Sequence, residues 1–183
     1  ISMGGMFFFN WHDRIVSFPD RDARADLQHD NYIYHSILTD SRGLIWFGTQ
    51  DGLYVNNPEN GFSGSFHEKD GLVNNAIRSL IEDEYGKLWV STSNGITCIE
   101  TSGNGANYEY SFINYNHFDG VIENEFLPRS VFLTSDNYLF WGGLDGFNTL
   151  DLNRIDSSGQ QLSIPLITEL LLFGSEIKVG QEY

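Results

Sequence analysis

Cysteine is nearly missing from this chain of 183 residues: Cys98 stands alone, which excludes an internal disulfide and every multi-cysteine zinc pattern. Proline is scarce as well, 4 residues against 19 glycines, a balance that favours many short strands joined by tight turns. Basic residues are few. Against 10 Lys and Arg stand 25 Asp and Glu, so the formal charge is −15. A phosphate backbone is repelled over most of such a surface, and no direct contact with nucleic acid is expected. Acidity of this kind serves solubility and selects no partner. Long apolar runs are missing too. The longest, from Leu166 to Phe173, is interrupted by Glu169 and falls far short of the roughly 20 residues that cross a bilayer. Neither an initiator Met nor a basic-then-apolar leader precedes the first residues, so any targeting peptide is expected outside this sequence. What is plentiful is aromatic: 14 Phe, 9 Tyr and 4 Trp, 15% of the chain, and the all-β class follows as the expectation.

One pattern recurs and organises most of the chain. It reads SILTDSRGLIWFGTQDGLY from Ser36, SLIEDEYGKLWVSTSNGIT from Ser79 and SVFLTSDNYLFWGGLDGFN from Ser130. The first two copies align without a gap, and the wider spacing of the third falls mainly in the polar segment from Thr101 to Asn107. Each copy decodes as three short strands. The first alternates and ends on an acid, as in Ile37 to Asp40 and Leu80 to Asp83, and Gly43 or Gly86 supplies the positive φ of the turn that follows. The second centres on an aromatic pair or single ring: Ile45-Trp46-Phe47, Leu88-Trp89-Val90, Leu139-Phe140-Trp141. Asp51-Gly52, Asn94-Gly95 or Asp145-Gly146 then makes a hairpin turn into the third strand. Between copies lie KDGLVNNAI from Lys69 and FDGVIENEF from Phe118, each preceded by an aromatic strand, around Phe66 and Tyr115, that serves as the fourth.

Four antiparallel strands at a period of about 40–50 residues are what a propeller blade requires, because each small sheet is apolar on both faces and buries them only by stacking on neighbours. The expected fold is a partial β-propeller of about three and a half four-stranded blades: the end of a blade over 1–19, then blades over 31–66, 75–115 and 124–152, the propeller region ending at 163. Such an array is expected either to continue in a longer chain or to pair its end blades with another copy. From Pro165 the alternating stretch LITELLLFGSEIKV departs from the blade pattern, and 164–183 reads as the first strands of a β-sandwich.

The pattern D-x-x-G-x-(L/I)-W-(F/V)-(G/S)-T-x-(D/N)-G-(L/I), followed by DGL-x-x-N, resembles the two-component regulator propeller repeat. The likeness is closest from Asp40 to Leu53 and from Asp83 to Ile96. In the third copy Thr134, Asn137 and Gly143 replace the Asp, the Gly and the Thr, as in a diverged last blade. The resemblance implies the periplasmic sensor region of a hybrid two-component histidine kinase of the Bacteroidetes type, anchored in the inner membrane. It implies further that a carbohydrate is detected and the signal relayed to regulate transcription. Kinase, receiver and DNA-binding parts would lie further along the parent chain, and the rest of that chain and a second copy would be partners. The alternative is a propeller scaffold for protein–protein contact or dimerisation without a ligand of its own; a propeller glycosidase or lyase ranks third.

No catalytic constellation emerges. His12, His29, His35, His67 and His117 show no metalloprotease spacing and no motif coupling to a nucleophile, and most of them read as loop or strand-edge residues. Glu82-Asp83 and Glu123 with Glu125 have the makings of a glycosidase pair, yet Asp83 recurs as Asp40, and a residue repeated once per blade caps a turn. Trp46, Trp89 and Trp141 likewise read as packing between sheets. Asp136 with Asn137, and Asp151 with Asn153, lack the order of a calcium loop, so no metal and no cofactor is expected. Ligand contacts are expected on the approach to the innermost strand of each blade: Asn31 and Tyr32, then Asn74, Asn75 and Arg78, then Asn124, Glu125 and Arg129. Their amides, guanidinium groups and carboxylate suit an oligosaccharide or other small ligand, and Arg78 or Arg129 suits a uronic acid or a sulfate.

Overall fold

In the first two repeats a buried carboxylate is wired to a buried indole. Asp40 accepts the backbone amides of Arg42 and Leu44 on Oδ1, both at 2.9 Å, and the Trp46 indole N–H on Oδ2 at 3.0 Å. Asp83 repeats this with Tyr85, Lys87 and Trp89 at 2.9, 2.9 and 2.8 Å. One side chain thus closes the first turn and anchors the tryptophan of the next strand, which explains why acid, glycine and tryptophan recur at fixed spacing. A second device closes the next turn. Thr49 Oγ1 donates to the Gly52 carbonyl and accepts the Asp51 amide, and Thr92 does the same with Gly95 and Asn94. At Gly95, with φ of 116°, a Cβ would fall 2.6 Å from the Tyr115 carbonyl oxygen, so only glycine fits.

The computed structural model describes residues 8–10, 15–17, 33–61, 63–104, 107–121, 125–144, 146–155, 171–172 and 175–176. Two compact units are present, Ile1–Asn153 and Arg154–Tyr183. In the first, β1 (Phe8–Asn10) pairs antiparallel with β2 (Ile15–Ser17). The first full blade runs β3 (Tyr34–Thr39), β4 (Ile45–Thr49), β5 (Leu53–Asn56) and β6 (Ser63–Phe66) in sequential antiparallel order. The second runs β7 (Ile77–Glu82), β8 (Leu88–Thr92), β9 (Gly95–Asn104) and β10 (Asn107–Tyr115). The third has β11 (Phe126–Leu133), β12 (Tyr138–Gly143) and β13 (Phe147–Asp151), three strands among the described residues. In the second unit β14 (Leu171–Leu172) pairs with β15 (Ser175–Glu176), a short hairpin within the stretch that departs from the blade pattern. The chain is therefore all-β, its repeats are propeller blades, and the expected boundary at 163/164 lies outside the described residues.

The polar segment that widens the spacing of the third copy lengthens the outer hairpin of the second blade. Thr101 to Asn104 extends β9, and its ladder with β10 runs unbroken from Asn107 opposite Asn104 to Tyr115 opposite Ile96. Cross-strand hydrogen bonding needs no apolar side chains, so polar residues are carried outward on a continuing ladder. Single 3-10 turns, Glu68–Asp70 and His117–Asp119, then lead back toward the next innermost strand, each ending on a positive-φ glycine, Gly71 or Gly120.

Stacking of neighbouring sheets supplies the core. Trp46, fully buried, lies against its own blade's Phe66 at 6.1 Å and edge-on to Tyr110 of the second blade at 5.8 Å. Around it Leu53 and Val55 meet Ile77, Leu88, Val90 and Ile99. Trp89 repeats the arrangement one blade on, stacked with Tyr115 and 5.9 Å from Trp141. In the third copy the tryptophan is displaced by one position, so it points back toward the second blade instead of forward. Its indole N–H is buried with no acceptor among the described residues, and Thr134 stands where the other copies have the accepting Asp. Thr134 keeps one of the two turn bonds, accepting the Tyr138 amide at 2.9 Å. Asn137 takes the place of the turn glycine with φ of 64°, a left-handed conformation that asparagine tolerates better than most residues.

Equivalent turns of adjacent blades are latched together. The amide and hydroxyl of Ser41 both donate to Glu82 at 2.7 Å, and the Arg42 guanidinium donates to the carbonyls of Gly86 and Thr101. Asn137 of the third blade likewise donates to Glu84 of the second.

Candidate functional site

The innermost strands β3, β7 and β11 are in mutual contact, and each carries an irregularity near its start. In β3, Tyr34 faces Thr49 and Ser36 faces Gly48, so His35 is an extra residue outside the ladder. In β7, Ile77 faces Thr92 and Ser79 faces Ser91, so Arg78 is the extra residue. In β11 the interruption is longer, between Phe126 and Val131, and contains Arg129 at φ of 60°. His35, Arg78 and Arg129 each immediately precede the serine that opens the repeat, Ser36, Ser79 or Ser130. They are one repeat column, lifted out of the ladder in every blade; a bulge of this kind re-aims a side chain without ending the strand.

The three side chains converge. Arg129 Nε donates to the His35 carbonyl at 3.1 Å, joining the third blade to the first. Arg78, largely covered, holds an ion pair with Glu125 at 3.6 Å, and its Nε is buried with no partner among the described residues. The same is true of His35 Nε2. Burial pushes the His35 pKa below its ordinary 6.5, and the charges of Arg78 and Arg129 push it further the same way. Beside them opens a cavity of about 370 Å³ lined by Tyr34, His35, Ser36 and Arg129, and by Ile37, Leu80 and Val131. The last three are again one repeat column, two positions after the bulge. The cavity wall therefore draws on two columns, one contributing His35 and Arg129 and the other aliphatic, with Tyr34 and Ser36 beside them.

Of the residues singled out from sequence, Arg78, Glu125 and Arg129 come together here. Asn74 is engaged at both ends of its amide: Nδ2 donates to Glu68 at 3.1 Å, and Oδ1 accepts the Ala76 amide and the Ser93 hydroxyl. Asn75 accepts the Glu68 amide at 2.8 Å, tying the 3-10 turn to the strand that follows. Both asparagines shape the approach to β7. Asn31, Tyr32 and Asn124 lie outside the described residues. His35, expected as a loop or strand-edge residue, instead sits within β3 beside the arginines. Its signal was present in the alignment of the copies, where it shares a column with Arg78 and Arg129.

Residues 28–51 and 71–94 match the two-component regulator propeller family. These two segments carry the two-component regulator propeller repeat. Histidine kinase P4 of Formosa agariphila is 25% identical to it over 134 residues, 70% of this chain and 9% of that protein. Among solved structures, the extracellular domain assigned to the hybrid two-component system BT3049 of B. thetaiotaomicron superposes with a TM-score of 0.67 at 24% identity. It covers 82% of this chain and 19% of its own. The corresponding domain of BT4673 from the same organism gives 0.52 at 19% identity, over 86% of this chain and 21% of its own. These likenesses establish the fold of the propeller repeats, and the chain spans about a fifth or less of the length of the proteins it matches.

Proposed function

We propose that this chain is the extracytoplasmic, ligand-binding part of a hybrid two-component sensor histidine kinase, set on the periplasmic side of the inner membrane. It detects a carbohydrate, and occupancy is relayed through the rest of the parent chain to a phosphorelay that regulates transcription. The observation that carries this reading is the cavity where the innermost strands of three successive propeller blades meet. Its volume falls within the range of small-ligand sites, and its wall combines aliphatic surface with the fixed donors that sugar hydroxyls require. The propeller repeats, and the likeness of the fold to extracellular domains of hybrid two-component systems, support the same role.

A hydrolytic reading is disfavoured by the same wall. Glycoside hydrolysis needs two carboxyl groups about 5–10 Å apart across the scissile bond. None of the described residues lining this cavity is acidic. A dimer is the second element of the proposal, favoured by the aromatic face of the third blade, where Phe132 and Phe147 are both 63% exposed. Calorimetric titration of the chain with a panel of neutral and acidic oligosaccharides tests the sensor reading. Heat of binding is expected from at least one sugar, with stoichiometry of one per chain; silence across the panel overturns it.

A further inference from the structure

Resting on the sensor reading and the same cavity, the geometry points to a narrower ligand class: we infer that the column His35, Arg78 and Arg129 is a receptor for an oxyanion carried on a sugar, and that Glu125 is a resident counter-charge which the ligand anion displaces.

Four observations support this. The chain carries a formal charge of −15, yet this cavity is lined by the Arg129 guanidinium and the His35 imidazole, with the Arg78 guanidinium near enough to act on that imidazole and no acid among the described lining residues. Cations gathered against the overall balance of charge mark a place where negative charge is expected from outside. Two of their nitrogens, Arg78 Nε and His35 Nε2, are buried without a partner among the described residues. Buried donors left unpaired cost free energy that an arriving acceptor recovers. All three side chains stand on strand irregularities, so they are aimed by the backbone and not by flexible loops. Finally, Glu125 is itself mostly exposed and reaches Arg78 at only 3.6 Å, a loose pair across one edge of the guanidinium. A ligand carboxylate or sulfate that engages the fork with two parallel bonds makes a stronger contact than this one. The aliphatic column Ile37, Leu80 and Val131 would take the C–H face of the ring while the charged group meets the cations.

Galacturonate, galactose, galactose 6-sulfate and inorganic sulfate serve as probes, each titrated against the intact chain. Galacturonate or the sulfated sugar is expected to bind about tenfold or more tightly than galactose, as one charge-assisted contact implies. Arg78→Lys and Arg129→Lys, which keep the charge and lose the fork, are expected to weaken the acidic sugar several-fold more than they weaken galactose. Glu125→Gln is expected to strengthen it. Thermal melts of each variant separate loss of binding from loss of fold. His35→Gln is the second variant should an arginine change unfold the chain, with the same direction expected. Equal affinity for galactose and galacturonate, in wild type and variants, overturns the oxyanion site while sparing carbohydrate sensing. Binding of inorganic sulfate with no sugar of either kind supports the oxyanion site and overturns the carbohydrate reading.

Discussion

Asp40 and Asp83 each satisfy two backbone amides and one indole while only 6% exposed, so a single carboxylate holds a turn and a core ring in register. Asp83→Ala should destabilise the chain by about 3 kcal/mol, because it leaves one buried and two part-buried donors without an acceptor. Asp136→Ala, an exposed acid in the matching turn of the third blade, should change stability by no more than about 0.5 kcal/mol. Urea midpoints of the two variants make the comparison, and equal shifts would refute the role given to Asp83. At this scale much was legible before any coordinates. Recurrence of Asp, Gly and Trp at fixed spacing identifies residues held by the repeat frame, and it assigned Asp83 to a turn. It could not show that the same carboxylate reaches the tryptophan, since that contact depends on rotamers and on how the strand folds back. His35 was overlooked for a related reason. An imidazole and two guanidinium groups share no residue type, so the column is visible only when position, and not identity, is aligned.

Between elements, the contacts that set one blade against the next are of two kinds: buried rings and a polar latch at the turns. Ser41 and Glu82 form the tightest part of that latch, with two bonds of 2.7 Å to one carboxylate. Removing the hydroxyl in Ser41→Ala, the carboxylate in Glu82→Ala, and both together forms a double-mutant cycle. A coupling energy of about 1 kcal/mol is expected, as for neighbours that share a hydrogen bond to a charge. Additive effects would mean that packing alone orients the blades. Strand existence and order were readable from alternation and turn residues, down to the outer strands ending near Phe66 and Tyr115. The bulges were not. An extra residue in a ladder depends on which partner each neighbour chooses across the sheet, and nothing in the local sequence of β3 or β7 records that choice. The lengthened β9 and β10 hairpin escaped notice because polar strands carry no hydrophobic period.

Taken as a whole, the molecule repeats one relation: the tryptophan-bearing face of a blade is covered by the blade that follows. Trp46 and Trp89 are buried in this way. On the third blade Phe140 stands at the equivalent position, with Phe132 opposite it and Phe147 at 5.8 Å, and this face is bare among the described residues. Exposed aromatic surface of this kind favours association. Sedimentation velocity of the chain over a range of concentrations should show reversible self-association, and Phe132→Glu with Phe147→Glu should abolish it while leaving the melting temperature of the blades nearly unchanged. A concentration-independent monomer in the unsubstituted chain would show that the face is tolerated in water. The bulge column, meanwhile, separates two demands that usually conflict. Because His35, Arg78 and Arg129 stand outside the ladder, their side chains can be exchanged while every neighbouring strand keeps its pairing. Each blade is thus a fixed frame with one rewritable letter facing the centre. A lineage of such propellers can vary this column by single codons, one blade at a time, without relearning how to fold.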